Sequence, residues 1–326
     1  MIQDRSCLAV MYHYVRDSAA TPFPGIRALT PALFVEQLDW LQAHHTLVDL
    51  ATLERALAGD VELPAHAAVL TFDDGFVDHY DTVFPELRRR GLSGVFFVSG
   101  STCGPEPRLL SVHKTQFLLA RLGAQAFADA VIAACGPAQS GLPNDAAVFG
   151  RDRWEAADDQ MVKRLINYQL PFEQAEQVLD ALFARLIGTA ADFARTLYLD
   201  EPMLREMAGG GMVFGYHTRT HRMLSRLSVE EQRTELASGV DWLRTLTGQV
   251  RVPFCYPWGG RQTYTADTVR LLGECGYSMA FNTVRRRLSP VRDHRYELPR
   301  LDTRDLPPHT AGDGDPVAAL EAIEEA

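Results

Sequence analysis

Ala68-Val-Leu-Thr-Phe-Asp-Asp-Gly75 decides how this chain is read. Ala68 to Phe72 is an apolar run of the length and composition that forms a strand buried on both faces of a parallel sheet. Gly75 permits a sharp exit from it. Asp73 and Asp74 are therefore predicted at the strand's carboxyl end, where α/β folds place their catalytic loops.

The same pattern recurs some 140 residues later, where Met212-Val-Phe-Gly-Tyr216 leads into His217-Thr-Arg-Thr-His221. Histidines spaced i, i+4 are expected on one face of a helical turn. One carboxylate and two imidazoles suit a divalent metal such as Zn²⁺, with positions left for water and substrate. The adjacent carboxylate is then free to act as a general base. Taken alone, Asp-Asp-Gly is usually a turn, and His-x-x-x-His a solvated helix face. Together, each behind an apolar strand, they point to a metal-dependent hydrolase. Thr218 stands where a His-Glu-x-x-His protease carries its glutamate, which excludes that class. Non-haem iron oxygenases share the two-histidine, one-carboxylate set, but the extra Asp73 fits hydrolysis better.

Strand and helix signals alternate around these motifs. Strands are predicted at Leu8 to Tyr12, Thr46 to Leu50, Ala68 to Phe72, Gly94 to Val98, Met212 to Tyr216, Arg251 to Tyr256, Ser278 to Asn282 and Tyr296 to Leu301. Helices are predicted from Thr30-Pro31 to His45, from Asp81 to Gly91 and from Ala266 to Cys275. The alternation implies an α/β fold with a parallel sheet closing toward a barrel. Residues 103–190 interrupt it with helical segments at Val112 to Ala134, Arg153 to Tyr168 and Phe172 to Ile187. Such an insertion suits a lid or a dimer contact. Residues 309–326 form an acidic tail rich in small residues.

The chain resembles the polysaccharide deacetylase family, the carbohydrate esterases that share the NodB homology domain. The resemblance rests on Thr71-Phe-Asp-Asp-Gly75, His217-Thr-Arg-Thr-His221, Leu8-Ala-Val-Met-Tyr-His-Tyr14, Cys255-Tyr-Pro-Trp-Gly259 and Leu298-Pro-Arg-Leu301. It implies a distorted (β/α) barrel over residues 1–102 and 191–308, with 103–190 as a helical insertion. It also implies that Asp74, His217 and His221 hold the metal and that Asp73 is the base that activates water. The similarity is closest to the branch whose N-terminal Tyr-His dipeptide supplies the catalytic acid, which makes His13 the candidate for that role. Cys255 falls where the family's Arg-Pro-Pro-Tyr-Gly motif carries the arginine that orients the catalytic aspartate. Arg300 is the expected substitute, with Arg251 as the alternative. Trp258 replaces the motif's tyrosine, and its backbone N–H inherits the oxyanion contact.

The implied activity is removal of an N-acyl group, with acetyl foremost, from an amino sugar or a metabolite bearing one. Zinc is the first expectation, with cobalt, nickel or manganese as alternatives. Hydrolysis of a non-sugar amide or cyclic ureide, and a catalytically inactive carbohydrate-binding protein, are the competing readings. A chain of 326 residues that is 46% hydrophobic can bury a large core,. It has no apolar run of 18 residues, so no membrane span is expected. Nor does the N-terminus read as a signal peptide. Five cysteines without metal-type spacing fit a reduced, cytoplasmic setting,, hence a small cytosolic substrate. The net charge of −10 argues against nucleic acid as a partner,. A local basic stretch, Arg285-Arg-Arg287 with Arg292 and Arg295, could contact the phosphate of a nucleotide-linked sugar.

Overall fold

The computed structural model describes residues 6–135, 157–166 and 170–308. Its contacts divide the chain into two compact units, one from Met1–Arg16, Ala28–Pro107 and Leu197–Ala326, the other from Asp17–Arg27 and Arg108–Thr196.

The first unit is built on a curled sheet whose paired strands all run parallel. In chain order these are β1 (Cys7–Tyr12), β2 (Thr46–Leu47), β3 (Ala67–Phe72), β4 (Val95–Val98), β5 (Val213–Tyr216), β6 (Phe254–Cys255), β7 (Ala280–Phe281) and β8 (Leu301–Asp302). Their spatial order is β7-β6-β5-β4-β3-β1-β8. A parallel bridge between Phe281 and Leu298 draws β7 toward the segment that enters β8. β3 is the hub. It pairs along its whole length with β1, its first two residues also meet β2, and its last two meet β4. This is the distorted α/β barrel architecture that the alternation of strands and helices implies.

Side-chain alternation along these strands fixes what lies inside. Ala68, Leu70 and Phe72 pack outward with Phe34, Leu38 and Leu41 of the helix Pro31–His44. Ala67 and Val69 point the other way, with Cys7, Ala9, Phe97, Cys255, Phe281 and Leu298. Gly215 on β5 faces Phe97 on β4, its register partner, and a Cβ there would lie 2.4 Å from that ring. The close approach of these two strands therefore requires glycine.

Several elements differ from the sequence-based expectation. The run from Thr46 ends as a strand at Leu47, because Asp49 caps a helix over Leu50–Leu57 by accepting the Thr52 N–H,. The helix expected from Asp81 begins instead with a wide turn at His79–Val83 and runs regularly over Phe84–Arg90, ending at Gly91 with φ +67°. β6 and β7 pair over only two residues each of their expected runs, and the strand expected from Tyr296 to Leu301 forms instead at Leu301–Asp302.

The second unit is helical, with helices at Ser111–Leu122, Ala124–Cys135, Ala157–Arg164, Phe172–Leu186 and Ala190–Leu197. The helix expected from Val112 to Ala134 is interrupted at Gly123, whose φ of +75° no regular helix accommodates,. The segment expected from Arg153 to Tyr168 is described only over 157–166. Phe117, Phe127, Val131, Leu179 and Phe183 are buried, and Phe23 sets its ring edge-on against Phe117. The buried Lys114 lies 2.6 Å from Asp180 and 3.6 Å from Glu176. The tail over 309–326 lies outside the described residues.

Candidate active site

Strand parity that buries the sheet's interior also assembles the site above it. Ala67, Val69 and Thr71 point inward, and Asp73 continues their row past the end of β3. Cys7, Ala9 and Met11 do the same for His13, whose Nε2 lies 3.9 Å from Asp73 Oδ2. The register carries on past the strands, with the Asp73 N–H donating to the Tyr12 carbonyl at 2.9 Å. Asp74 leaves the row. Its φ of +74° is uncommon for a residue with a side chain and swings the carboxylate onto the rim,.

His217 and His221 follow β5. His217 Nε2 lies 3.6 Å from Asp74 Oδ1, and His221 Nε2 lies 3.5 Å from the same oxygen. The three donor atoms lie within 4.8 Å of one another. Bonds of zinc length to neighbouring tetrahedral positions would set donors about 3.4 Å apart, so this carboxylate and these two imidazoles fit a divalent cation. His217 Nδ1 lies 2.8 Å from the Cys255 carbonyl, a contact that places the proton on Nδ1 and turns Nε2 toward Asp74,. Burial lowers the His217 pKa, against the pull of Asp73 and Asp74, and keeps the ring neutral as a ligand must be,.

The helical turn expected at His217 to His221 is absent. In a helix the carbonyls of residues 217–219 would accept from residues 221–223. Here they accept instead from Ser99 Oγ and the N–H groups of Gly100 and Ser101. Thr218 and His221 take φ of +62° and +60°. The imidazoles converge all the same, with ring centroids 4.8 Å apart.

Asp73 is held by a buried guanidinium. Arg300, one residue before β8, donates through Nη1 to Asp73 Oδ1 at 2.8 Å and through Nη2 to Oδ2 at 2.7 Å. It also reaches Thr71 Oγ1 at 3.1 Å and the Asn282 carbonyl at 3.0 Å. Asp73 is 2% exposed and Arg300 1%. Burial pushes the Asp73 carboxyl up, but the charge and hydrogen bonds of Arg300 outweigh it and bring the pKa down to about 2,. The Cys255 thiol lies 2.9 Å from Arg300 Nη2 and 3.5 Å from Asp73 Oδ2. Burial raises its pKa well above the ordinary thiol value, so it stands there neutral. Arg251 is exposed and lies 3.6 Å from Glu54, away from Asp73.

Trp258 sits on the loop after β6 in a left-handed conformation, φ +67°. Its ring centroid is 5.8 Å from that of His221. The basic stretch does not converge on an anion site. Arg285 lies 3.1 Å from Asp305, Arg286 grips Asp293 through both Nη atoms, and Arg287 reaches His45. With Arg286 satisfied by a carboxylate, the phosphate contact loses its anchor.

Two contributors escape sequence reasoning. Thr71 reads as strand filler, yet its hydroxyl donates to the Val10 carbonyl and accepts from Arg300. Glu235, on the helix Val229–Leu236, is buried with Gln232 and Leu236 and bonds the loop between the two histidines. Its signal is a charged residue on a helix's buried stripe.

No helix among the described residues is long and apolar enough to cross a membrane. Residues 171–280, which include both site histidines, match the polysaccharide deacetylase family model. Over 83 residues the chain is 41% identical to the poly-β-1,6-N-acetyl-D-glucosamine N-deacetylases of Escherichia coli K12 and O157:H7, a match covering 25% of this chain and 12% of each relative. The fold is similar to the Streptococcus pyogenes deacetylase PplD solved in complex with acetate, with TM-score 0.58, 17% identity, and 99% and 100% of the two chains covered. It is also similar to IcaB from Ammonifex degensii, with TM-score 0.57, 20% identity, and 98% and 99% covered. The family match thus falls on the histidine motif, and the fold is similar to that of these deacetylases, while the chain spans only 12% of the length of the Escherichia coli relatives it matches.

Proposed function

We propose that this chain is a divalent-metal-dependent N-deacetylase acting on N-acetylated amino sugars. The observation that carries this reading is the convergence of two carboxylates with separate fates. Asp74 lies among His217 and His221, and its neighbour Asp73 is clamped by Arg300. In this reading Asp74, His217 and His221 hold the metal, zinc first among the candidates. Bound there, the cation supplies Lewis acidity that polarises the acyl carbonyl and makes water more acidic.

The remaining chemistry belongs to the chain. Asp73 stays ionised at neutral pH because Arg300 outweighs burial, so it can take a proton from the attacking water,. Arg300 engages both carboxylate oxygens and so fixes the plane in which Asp73 accepts that proton,. His13 is half-buried, on the rim beside Asp73. As an imidazolium it donates to the nitrogen of the departing amine, a leaving group too basic to depart unprotonated. The backbone N–H of Trp258 is assigned to the charge developing on the carbonyl oxygen. His13→Ala is expected to lower kcat about 10²–10⁴-fold with KM little changed. A variant with near wild-type kcat in steady-state assays would remove His13 from the site.

The cysteine pattern favours a small N-acylated amino sugar, whereas the Escherichia coli relatives carry the name of a polymer of N-acetylglucosamine. One experiment addresses both. Acetate release is followed by NMR from N-acetylglucosamine, a nucleotide-linked N-acetylhexosamine and a β-1,6-linked N-acetylglucosamine oligomer, with chelator and after Zn²⁺ is restored. Chelator-sensitive acetate is the expected result, and the substrate that yields it names the class. Silence from metal-loaded protein on every sugar would refute the deacetylase reading in favour of a non-sugar amide or a binding role.

A further inference from the structure

The loop joining His217 to His221 has neither a helix nor a ladder of its own, yet most of its backbone polar groups are engaged. On one side its carbonyls accept from residues 99–101, just past β4. On the other its N–H groups meet a single side chain. Glu235 Oε2 accepts from the Arg219 N–H at 3.0 Å and the Thr220 N–H at 2.8 Å, and Oε1 accepts from the Thr220 hydroxyl. The Glu235 main-chain carbonyl takes the Arg219 N–H as well, at 3.1 Å. Within the loop, the His221 N–H donates to Thr218 Oγ1 at 2.9 Å.

The conformation so held is an uncommon one. Thr218 and His221 both sit at positive φ, and Thr218 is β-branched,. A loop with this backbone relaxes unless its surroundings over-determine it. Glu235 is 5% exposed, and the helix that carries it is anchored at both ends. Ser228 and Glu231 cap each other at its start. Gln232 donates to the Leu227 carbonyl and accepts from Thr268, and the Tyr277 hydroxyl donates to the Leu236 carbonyl. The carboxylate is therefore a fixed template on which the loop is laid.

We propose that Glu235 is a positioning residue that preforms the metal centre, holding residues 218–221 so that His221 Nε2 stands beside Asp74 before any cation arrives. The inference rests on the assignment of Asp74, His217 and His221 as the metal-binding set. In unbound protein lacking Glu235, the Thr220 N–H and hydroxyl lose their acceptor and the loop spreads over conformations in which His221 points elsewhere. Binding must then select the competent fraction, and affinity falls by that fraction.

The test is Zn²⁺ affinity of the full chain, measured by competition with a chromophoric chelator, beside thermal melts of the metal-free proteins. Glu235→Ala is expected to raise the Kd about 10–100-fold while the metal-free protein still melts cooperatively. Glu235→Gln keeps one oxygen for both N–H groups and lets the Thr220 hydroxyl turn to accept, so its Kd should lie between those of wild type and Glu235→Ala. A merely structural role would lower the melting temperature of Glu235→Ala without moving Kd. A Kd within about twofold of wild type in folded Glu235→Ala overturns the proposal. Should that variant not fold, Glu235→Gln and Thr220→Val decide, the latter deleting only the hydroxyl link. Weakened Zn²⁺ binding in both supports the proposal, and wild-type affinity in both overturns it. Absence of Zn²⁺ binding by the wild-type chain would instead refute the metal-set assignment.

Discussion

Replacing Arg300 with methionine should destabilise the fold by about 3–5 kcal/mol, because it leaves the Asp73 carboxylate buried without its countercharge. Methionine approximates the length of the lost side chain, so the effect reports on charge more than on a cavity. Two features make Arg300 hard to compensate. It is 1% exposed, and it bonds Thr71 and the Asn282 carbonyl besides both Asp73 oxygens. Urea unfolding followed by circular dichroism measures the loss. Adding Asp73→Asn to the same protein should restore part of the stability, because the stranded charge is then gone, while activity stays absent. A double variant no more stable than Arg300→Met would show that the loss came from packing or from the other hydrogen bonds of the guanidinium. In the single variant, burial prevails over Asp73 and its pKa rises from its low value of about 2,.

Asp73→Asn alone separates the two carboxylates. It should reduce kcat about 10²–10⁴-fold, the range for loss of a positioned general base, while zinc content by mass spectrometry of the native protein stays near one per chain. Asp74→Asn and His221→Ala should do the opposite first and lose the metal, with activity falling as a consequence. If Asp73→Asn releases the metal as readily as Asp74→Asn does, the division of labour between these neighbours is wrong. The structural basis for expecting it is directional. Asp73 follows the inward parity of β3 onto Arg300, and the positive φ of Asp74 turns its carboxylate to the histidines.

Much of this arrangement is written in periodicity. A period of two along β1 and β3 sets His13 and Asp73 on the same face before any coordinate is known, and the apolar runs mark where the parallel strands lie. Register between strands is less visible, because β6, β7 and β8 pair over two residues each and their flanking apolar residues are buried without pairing. The spacing of His217 and His221 identifies them together but suggests the wrong local structure. An i, i+4 pair reads as helix by default, and only the carbonyl partners at residues 99–101 and the carboxylate at 235 reveal a loop. These partners lie far away in sequence, on the neighbouring strand's exit and on a later helix. Arg286 shows the converse limit. A cluster of arginines looks free in sequence, and Asp293 seven residues away claims the central one.

The neutral thiol of Cys255 beside Arg300 also bears on how such chains diverge. Around a curled sheet of parallel strands, a point above the concave face is near several strand ends, so a cation can reach it from β6 or from the approach to β8 with little change elsewhere. Once one strand supplies the charge, the other position is released to drift toward a small uncharged residue. An inventory that looks for an arginine at one fixed place in a motif would miss that here the guanidinium reaches the carboxylate from the approach to another strand.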